Sequence, residues 1–256
     1  MTPIADIIAN ARRTDAGFTA TIPADWMQGR TSYGGLTAAL ALHAALGIAD
    51  DLPPLRSAQV SFIGPLAGDV TVSATQLRRG RNAAFVQADV SGEKGLGLRA
   101  TFVFMAELES KAALSETPPA PIGPPDGDAN IYTGPDDFFA GNFNFVDHKD
   151  GLGDAEWLRW GRLRGRDGLH PMVELMAVGD GLPPAAMKLF EKMVPVSSLS
   201  WIINFLDPEP ATQDGWWLLH SESNHALGGY SSQSMHIWNS DGKMVAEAMQ
   251  GVAIFA

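Results

Sequence analysis

The stretch from Thr31 to Ala49 (TSYGGLTAALALHAALGIA) runs 19 residues without a formal charge and is rich in alanine and other small side chains. Its length approaches the roughly 20 residues of a bilayer-spanning helix. Its alanine, glycine, threonine and serine content gives it a weak transfer energy, and the aromatic and basic flanks of an anchor are missing, so no membrane role is expected. A helix that is apolar on every side and remains in water must be covered all round. Gly34-Gly35 interrupts whatever precedes it, which places the helix at about Leu36 to Ile48, with His43 as a core histidine. Its small side chains let neighbouring backbone come close. The rest of the chain has to supply the wrapping.

The following residues have the pattern for it. In Arg56 to Ile63, Ser57, Gln59 and Ser61 alternate with Ala58, Val60 and Phe62, and the alternation continues through Val70–Ala74, Ala84–Val90 and Leu98–Phe104. Period-two alternation bounded by turn residues (Gly64-Pro65, Gly80, Ser91-Gly92) marks antiparallel strands with one buried face. Residues 110–136 lose all periodicity and hold six prolines, the composition of a linker. An aromatic segment, Phe138 to Phe145, and a possible strand, Glu156 to Arg164, come next.

The order then recurs. A second helix is expected over Gly181 to Met193, with Asp180 as its N-cap and Pro183-Pro184 in the first turn, where a missing N–H costs little. Strands follow at Ser198–Leu206, Trp216–Asn224, Tyr230–Trp238 and Lys243–Phe255. Ser57–Pro65 (SAQVSFIGP) aligns with Ser200–Pro208 (SWIINFLDP), sharing the ending Phe, aliphatic, any residue, Pro. Two helix-then-four-strand units make an internal duplication the natural reading. The expected organisation is an N-terminal repeat over 1–109, a Pro/Gly-rich linker over 110–150 and a C-terminal repeat over 151–256.

Composition removes several function classes. With 29 acidic against 18 basic side chains, the formal charge is −11, the wrong sign for generic nucleic-acid or anionic-membrane binding. The absence of cysteine eliminates thiolate metal sites, disulfides and a thiol nucleophile. There is no Gly-x-Ser-x-Gly elbow, Gly-rich phosphate loop or His-Glu-x-x-His, which disfavours a serine hydrolase, nucleotide hydrolysis and zinc peptidase chemistry. No cofactor or metal is called for. The N-terminus lacks a secretory pattern, so the expected address is the cytoplasm.

An apolar helix wrapped by an antiparallel sheet, present twice in one chain, resembles the α+β double hotdog fold. Trp26–Ala45 (WMQGRTSYGGLTAALALHAA), Arg56–Asn82 and Trp216–Phe255, with its Asp-Gly turn and late glutamine, resemble the acyl-CoA thioesterase II family. The resemblance implies hydrolysis of an acyl-CoA thioester by an oriented water without a covalent intermediate. It also implies a role in lipid metabolism and homo-oligomers of the double unit. The family's aspartate, threonine and glutamine positions fall on Ser200, Asn224 and Gln250. Serine cannot hold a negative charge at neutral pH, so a carboxylate elsewhere has to act as base, or the protein binds acyl-CoA without turning it over.

Several residues are candidates for this chemistry. Gln250 is in phase with Met244, Ala246, Ala248, Val252 and Ile254, so it points to the buried face, where an amide needs partners. Asp180 is the candidate base or else an N-cap, with His225 and Glu222 as lesser alternatives. Asn224 and Ser200 can both hydrogen-bond a water. Tyr33, Gly34 and Gly35 open the first helix, and Gly181 the second, where free N–H groups and the helix dipole can hold an oxyanion. Arg78, Arg79 and Arg81 are candidates for the CoA phosphates, or else a solvated strand end. Trp201, Phe205 and Met249 are expected around the acyl chain.

Overall fold

The computed structural model describes every residue from Met1 to Ala256. In chain order the elements are α1 (Ile4–Ala9), β1 (Arg12–Thr14), β2 (Gly17–Ile22), β3 (Met27–Gln28), β4 (Thr31–Ser32), α2 (Gly34–Leu46), β5 (Leu55–Phe62), β6 (Gly68–Arg79), β7 (Ala83–Gly92), β8 (Gly95–Met105), β9 (Tyr132–Thr133), β10 (Phe143–His148), β11 (Glu156–Leu163), α3 (Pro171–Gly179), β12 (Val196–Phe205), β13 (Trp217–Leu227), β14 (Tyr230–Trp238) and β15 (Met244–Ile254). Thirteen strands form one antiparallel sheet in the order β1-β2-β6-β7-β8-β5-β12-β15-β14-β13-β11-β10-β9. The sheet is continuous because β5 pairs with β12, setting Val60 opposite Trp201 and Ala58 opposite Ile203. On either side of that seam the order of the repeats is mirrored, β5-β8-β7-β6-β2 against β12-β15-β14-β13-β11.

The alanine-rich segment is α2, and from Gly35 to Ala45 only His43 is not buried. His43 meets the ring of Phe18 edge-on, with centroids 5.7 Å apart. A single apolar core of 50 residues takes in α2, α3 and the inner faces of both halves, so the repeats are not independent globules. Where α2 begins, α3 ends. The Tyr33 hydroxyl donates to the Ala177 carbonyl at 2.8 Å, and a Cβ added to Gly35 would lie 2.5 Å from that same oxygen. Gly35 is therefore required for the close approach of the two helices. Gly35→Ala is expected to cost about 2–3 kcal/mol, because overpacking against backbone has little room to relax. Chemical denaturation checks this, and an unchanged midpoint would show that the helices separate freely.

The second helix corrects the sequence reading. It occupies Pro171–Gly179 rather than Gly181–Met193, with Pro171 at its first position and His170 Nδ1 accepting from the Met172 N–H at 3.1 Å. Asp180 lies at the C-terminal end of this helix rather than at an N-terminus. Pro183-Pro184 instead precede a short 3-10 turn, Ala185–Leu189. Two prolines thus gave a helix-start signal to a segment that is too short and irregular to be one. Part of the segment read as linker is also structured, since β9 and β10 extend the edge of the sheet. Its proline-rich stretch crosses the outer face of the C-terminal half. There Ala120 and Ile122 cover Leu158, Trp160, Trp216, Leu218, Trp238 and Met244, and the Trp238 indole donates to the Pro118 carbonyl at 2.8 Å.

Candidate active site

Strand phase decides which polar side chains reach the interior. In β12, Trp201, Ile203 and Phe205 point inward, while Ser200, Ile202 and Asn204 are exposed. In β15, Gln250 is 2% exposed and shares the inner face with Ala246, Ala248, Val252 and Ile254. Met244 lies beyond a register shift and joins the outer cluster instead. The ladder pairs Trp201 with Gln250 and Ser200 with Gly251. Opposite residues share a face, so Ser200 sits on the other side of the sheet from Gln250. Met249 is 59% exposed on that same outer side, which corrects its expected place beside an acyl chain. Trp201 and Phe205 remain in the core.

Gln250 is held in a chain of amides. Its Nε2 donates to Asp180 Oδ1 at 2.9 Å, and its Oε1 accepts from Gln233 Nε2 at 2.8 Å. Gln233 Oε1 in turn accepts from the Ala185 N–H at 2.7 Å. Gln233 was missed in the sequence, although the signal was the one that revealed Gln250. It is a glutamine in phase with Met235 and Ile237 on an apolar face.

The carboxyl of Asp180 reaches across to the other repeat. It accepts a hydrogen bond from the Gly35 N–H, and a Cβ on Gly34 would fall 2.7 Å from Oδ2 and 2.9 Å from the Phe62 ring. The glycine pair is thus needed where the carboxyl seats against the start of α2. Burial pushes the Asp180 pKa from 3.8 up to about 7, while the hydrogen bonds from Gln250 and Gly35 pull the other way. Desolvation dominates because it penalises only the charged form. Tyr33 is raised well above its ordinary value by burial, and further by the Asp180 charge, so its hydroxyl stays neutral. As whole residues, Asp180, Gly34 and Phe62 keep partial exposure.

The remaining candidates lie elsewhere. Asn224 is exposed at a register shift of β13 and, with His225 and Glu222, lines a cleft of about 350 Å³ that includes neither Asp180 nor Gln250. The Gly181 N–H is not a free helix-start amide, because it donates to the Val178 carbonyl at 2.8 Å and closes the end of α3. Arg79 is held by Asp51 at 3.0 Å, whereas Arg78 and Arg81 are exposed and make no ion pair. No three carboxylate or imidazole groups are grouped to hold a metal, and no helix is long and apolar enough to cross a membrane.

Residues 22–105 match the acyl-CoA thioesterase N-terminal domain, and residues 114–254 match the acyl-CoA thioesterase C-terminal domain. The chain belongs to the acyl-CoA thioesterase family. Among solved structures it is similar to a hot dog fold protein of unknown function from Alicyclobacillus acidocaldarius (22% identity, TM-score 0.86, covering 100% of this chain and 99% of that one). It is also similar to a putative thioesterase II from Thermobifida fusca YX (20% identity, TM-score 0.84, covering 100% and 98%). A third is the TesB protein of Mycobacterium avium subs paratuberculosis (18% identity, TM-score 0.80, covering 100% of both chains). No curated protein matches the sequence. Family membership supports thioesterase activity in general, and the full-length likenesses establish the α+β double hotdog fold expected from the sequence. The family's carboxylate position had been carried to Ser200, which faces outward. The carboxylate in contact with Gln250 is Asp180.

Proposed function

We propose that this thioesterase-family protein hydrolyses an acyl-CoA thioester by direct attack of water, with Asp180 as the base and Gln250 orienting the water beside it. The carrying observation is the contact between a buried carboxyl and a buried amide at the start of the neighbouring helix. A carboxylate with a pKa near neutrality is matched to general-base work, since it is ionised at the operating pH yet still basic enough to take a proton. The water oxygen bonds to the thioester carbonyl carbon while its proton passes to Asp180. The C–S bond then breaks, and the leaving CoA thiolate takes that proton back. Arg78 and Arg81 are the groups proposed to meet the CoA phosphates.

A thiol-release screen over CoA esters of different acyl size tests this reading. For the ester that turns over, kcat/KM is expected to rise with pH and level off above a midpoint near 7, because the working form of Asp180 is deprotonated. No thiol release from any ester would defeat the proposal. A second reading, an acyl-CoA binding protein without turnover, draws on the placement of Ser200 and Asn224 outside the Asp180–Gln250 contact. Calorimetric binding with no free thiol would favour it.

A further inference from the structure

We propose that the indole N–H of Trp201 donates a hydrogen bond to the thioester carbonyl oxygen of the substrate, on the basis of the hydrolytic reading above. Trp201 stands opposite Gln250 in the β12–β15 ladder and is 0% exposed. Its Cζ2 and Cη2 atoms lie 3.3 Å from the place a Gly179 Cβ would take, and Nε1 is bonded to the ring carbon next to Cζ2. The indole ring therefore packs against the backbone immediately before Asp180, on the strand beside Gln250. The nitrogen is buried and has no hydrogen-bond partner. An unpaired buried N–H costs roughly 1–3 kcal/mol, and a bound oxygen would remove that cost.

Four other buried donors are unpaired in the protein, and the two indoles among them differ in place. Trp160 belongs to the outer cluster under the proline-rich strap, and the Trp157 ring lies beneath Lys188. Ser221 and Ser231, also unpaired, share the inner face with Trp201, but they pair with Met235 and Val252 rather than with Gln250. The start of α2, the obvious cradle for an oxyanion, is already partly committed, because its Gly35 N–H serves Asp180. When water adds to the carbonyl carbon, the π electrons move to the carbonyl oxygen. The indole N–H stabilises that charge, and the charge returns to re-form the carbonyl as the C–S bond breaks. No proton leaves the indole.

Trp201→Phe keeps an aromatic ring and removes the donor together with part of the indole's volume. Its kcat is expected to fall about 10²-fold, the scale of losing one oxyanion donor, with KM changed only a few-fold, and the volume lost from the core is expected to lower the melting temperature. A kcat within twofold of the wild type overturns the proposal. The wild-type protein gives a second readout through ¹⁵N-indole NMR with two inert CoA analogues. One is a ketone, with CH₂ in place of sulfur, and the other a thioether that lacks the carbonyl. The assigned Trp201 resonance is expected to shift with the ketone and not with the thioether, and an equal response to both overturns the proposal. Absence of turnover by the wild type bears on the hydrolytic reading, while the carbonyl-dependent shift decides the donor role in either case.

Discussion

Asp180→Asn is expected to lower thiol release by about 10³-fold, within the range assigned to a positioned general base, and at the same time to make the protein more stable in alkaline solution. The asparagine keeps an oxygen for the Gln250 and Gly35 N–H groups and removes the charge. In the wild type the folded-state pKa is about 7 against 3.8. The folded state therefore binds more protons than the unfolded chain across that window. The stability linked to protonation is complete below pH 4 and is lost as pH rises through 7. At about 1.4 kcal/mol per pKa unit, the charged carboxyl costs on the order of 4 kcal/mol at pH 8. The variant should melt on the order of 10 °C higher than the wild type at pH 8, with the gap closing towards pH 4. Thermal scans at both ends of the range, alongside the thiol assay, check the two halves of the expectation. An active variant, or one less stable at pH 8, would remove Asp180 from its assigned place.

Gln250→Leu separates an orienting amide from a merely structural one. The substitution takes a hydrogen bond from Asp180 Oδ1 and leaves Gln233 Nε2 without its acceptor. Stability is expected to drop by about 1–3 kcal/mol, the cost of newly unpaired buried groups, and kcat to drop about 10²-fold. The Gln250 hydrogen bond also holds the Asp180 pKa down. Its removal should move the midpoint of the pH–rate curve to higher pH. A structural amide would lower the melting temperature and move that midpoint while leaving kcat on the high-pH plateau in place, so the plateau rate is the deciding measurement.

The repeat architecture and the inward face of Gln250 were legible in the sequence because both rest on local periodicity, whereas Asp180 was named on the strength of a helix start that is in fact a helix end. The uncharged run of α2 could only be a wrapped helix, and period two placed Gln250 on the inner face. The second helix was obscured by punctuation. His170-Pro171 and Asp180 followed by Pro183-Pro184 offer competing starts, and only packing against α2 separates them. Ser200 was carried onto a catalytic position by motif matching, but a strand flips successive side chains, and its neighbour Trp201 took the inner face. The meeting of Asp180 with Gly34 and Gly35 spans some 145 positions of chain and has no local trace. β2 was legible but passed over, since Phe18, Ala20 and Ile22 alternate with polar neighbours and all three are buried.

The acid strength of Asp180 is a joint property of two stretches of polypeptide that could be separated by one cut in the proline-rich strap. Residues 1–109 would retain the berth at Gly34 and Gly35 with no carboxyl to receive. Residues 151–256 would retain the carboxyl and both glutamines, but open to water on the side that α2 now covers, and there it would titrate at the ordinary carboxylic-acid value of 3.8. Neutral-range titration therefore comes into being only when the two stretches close on each other. That interdependence gives a duplicated chain a reason to stay fused.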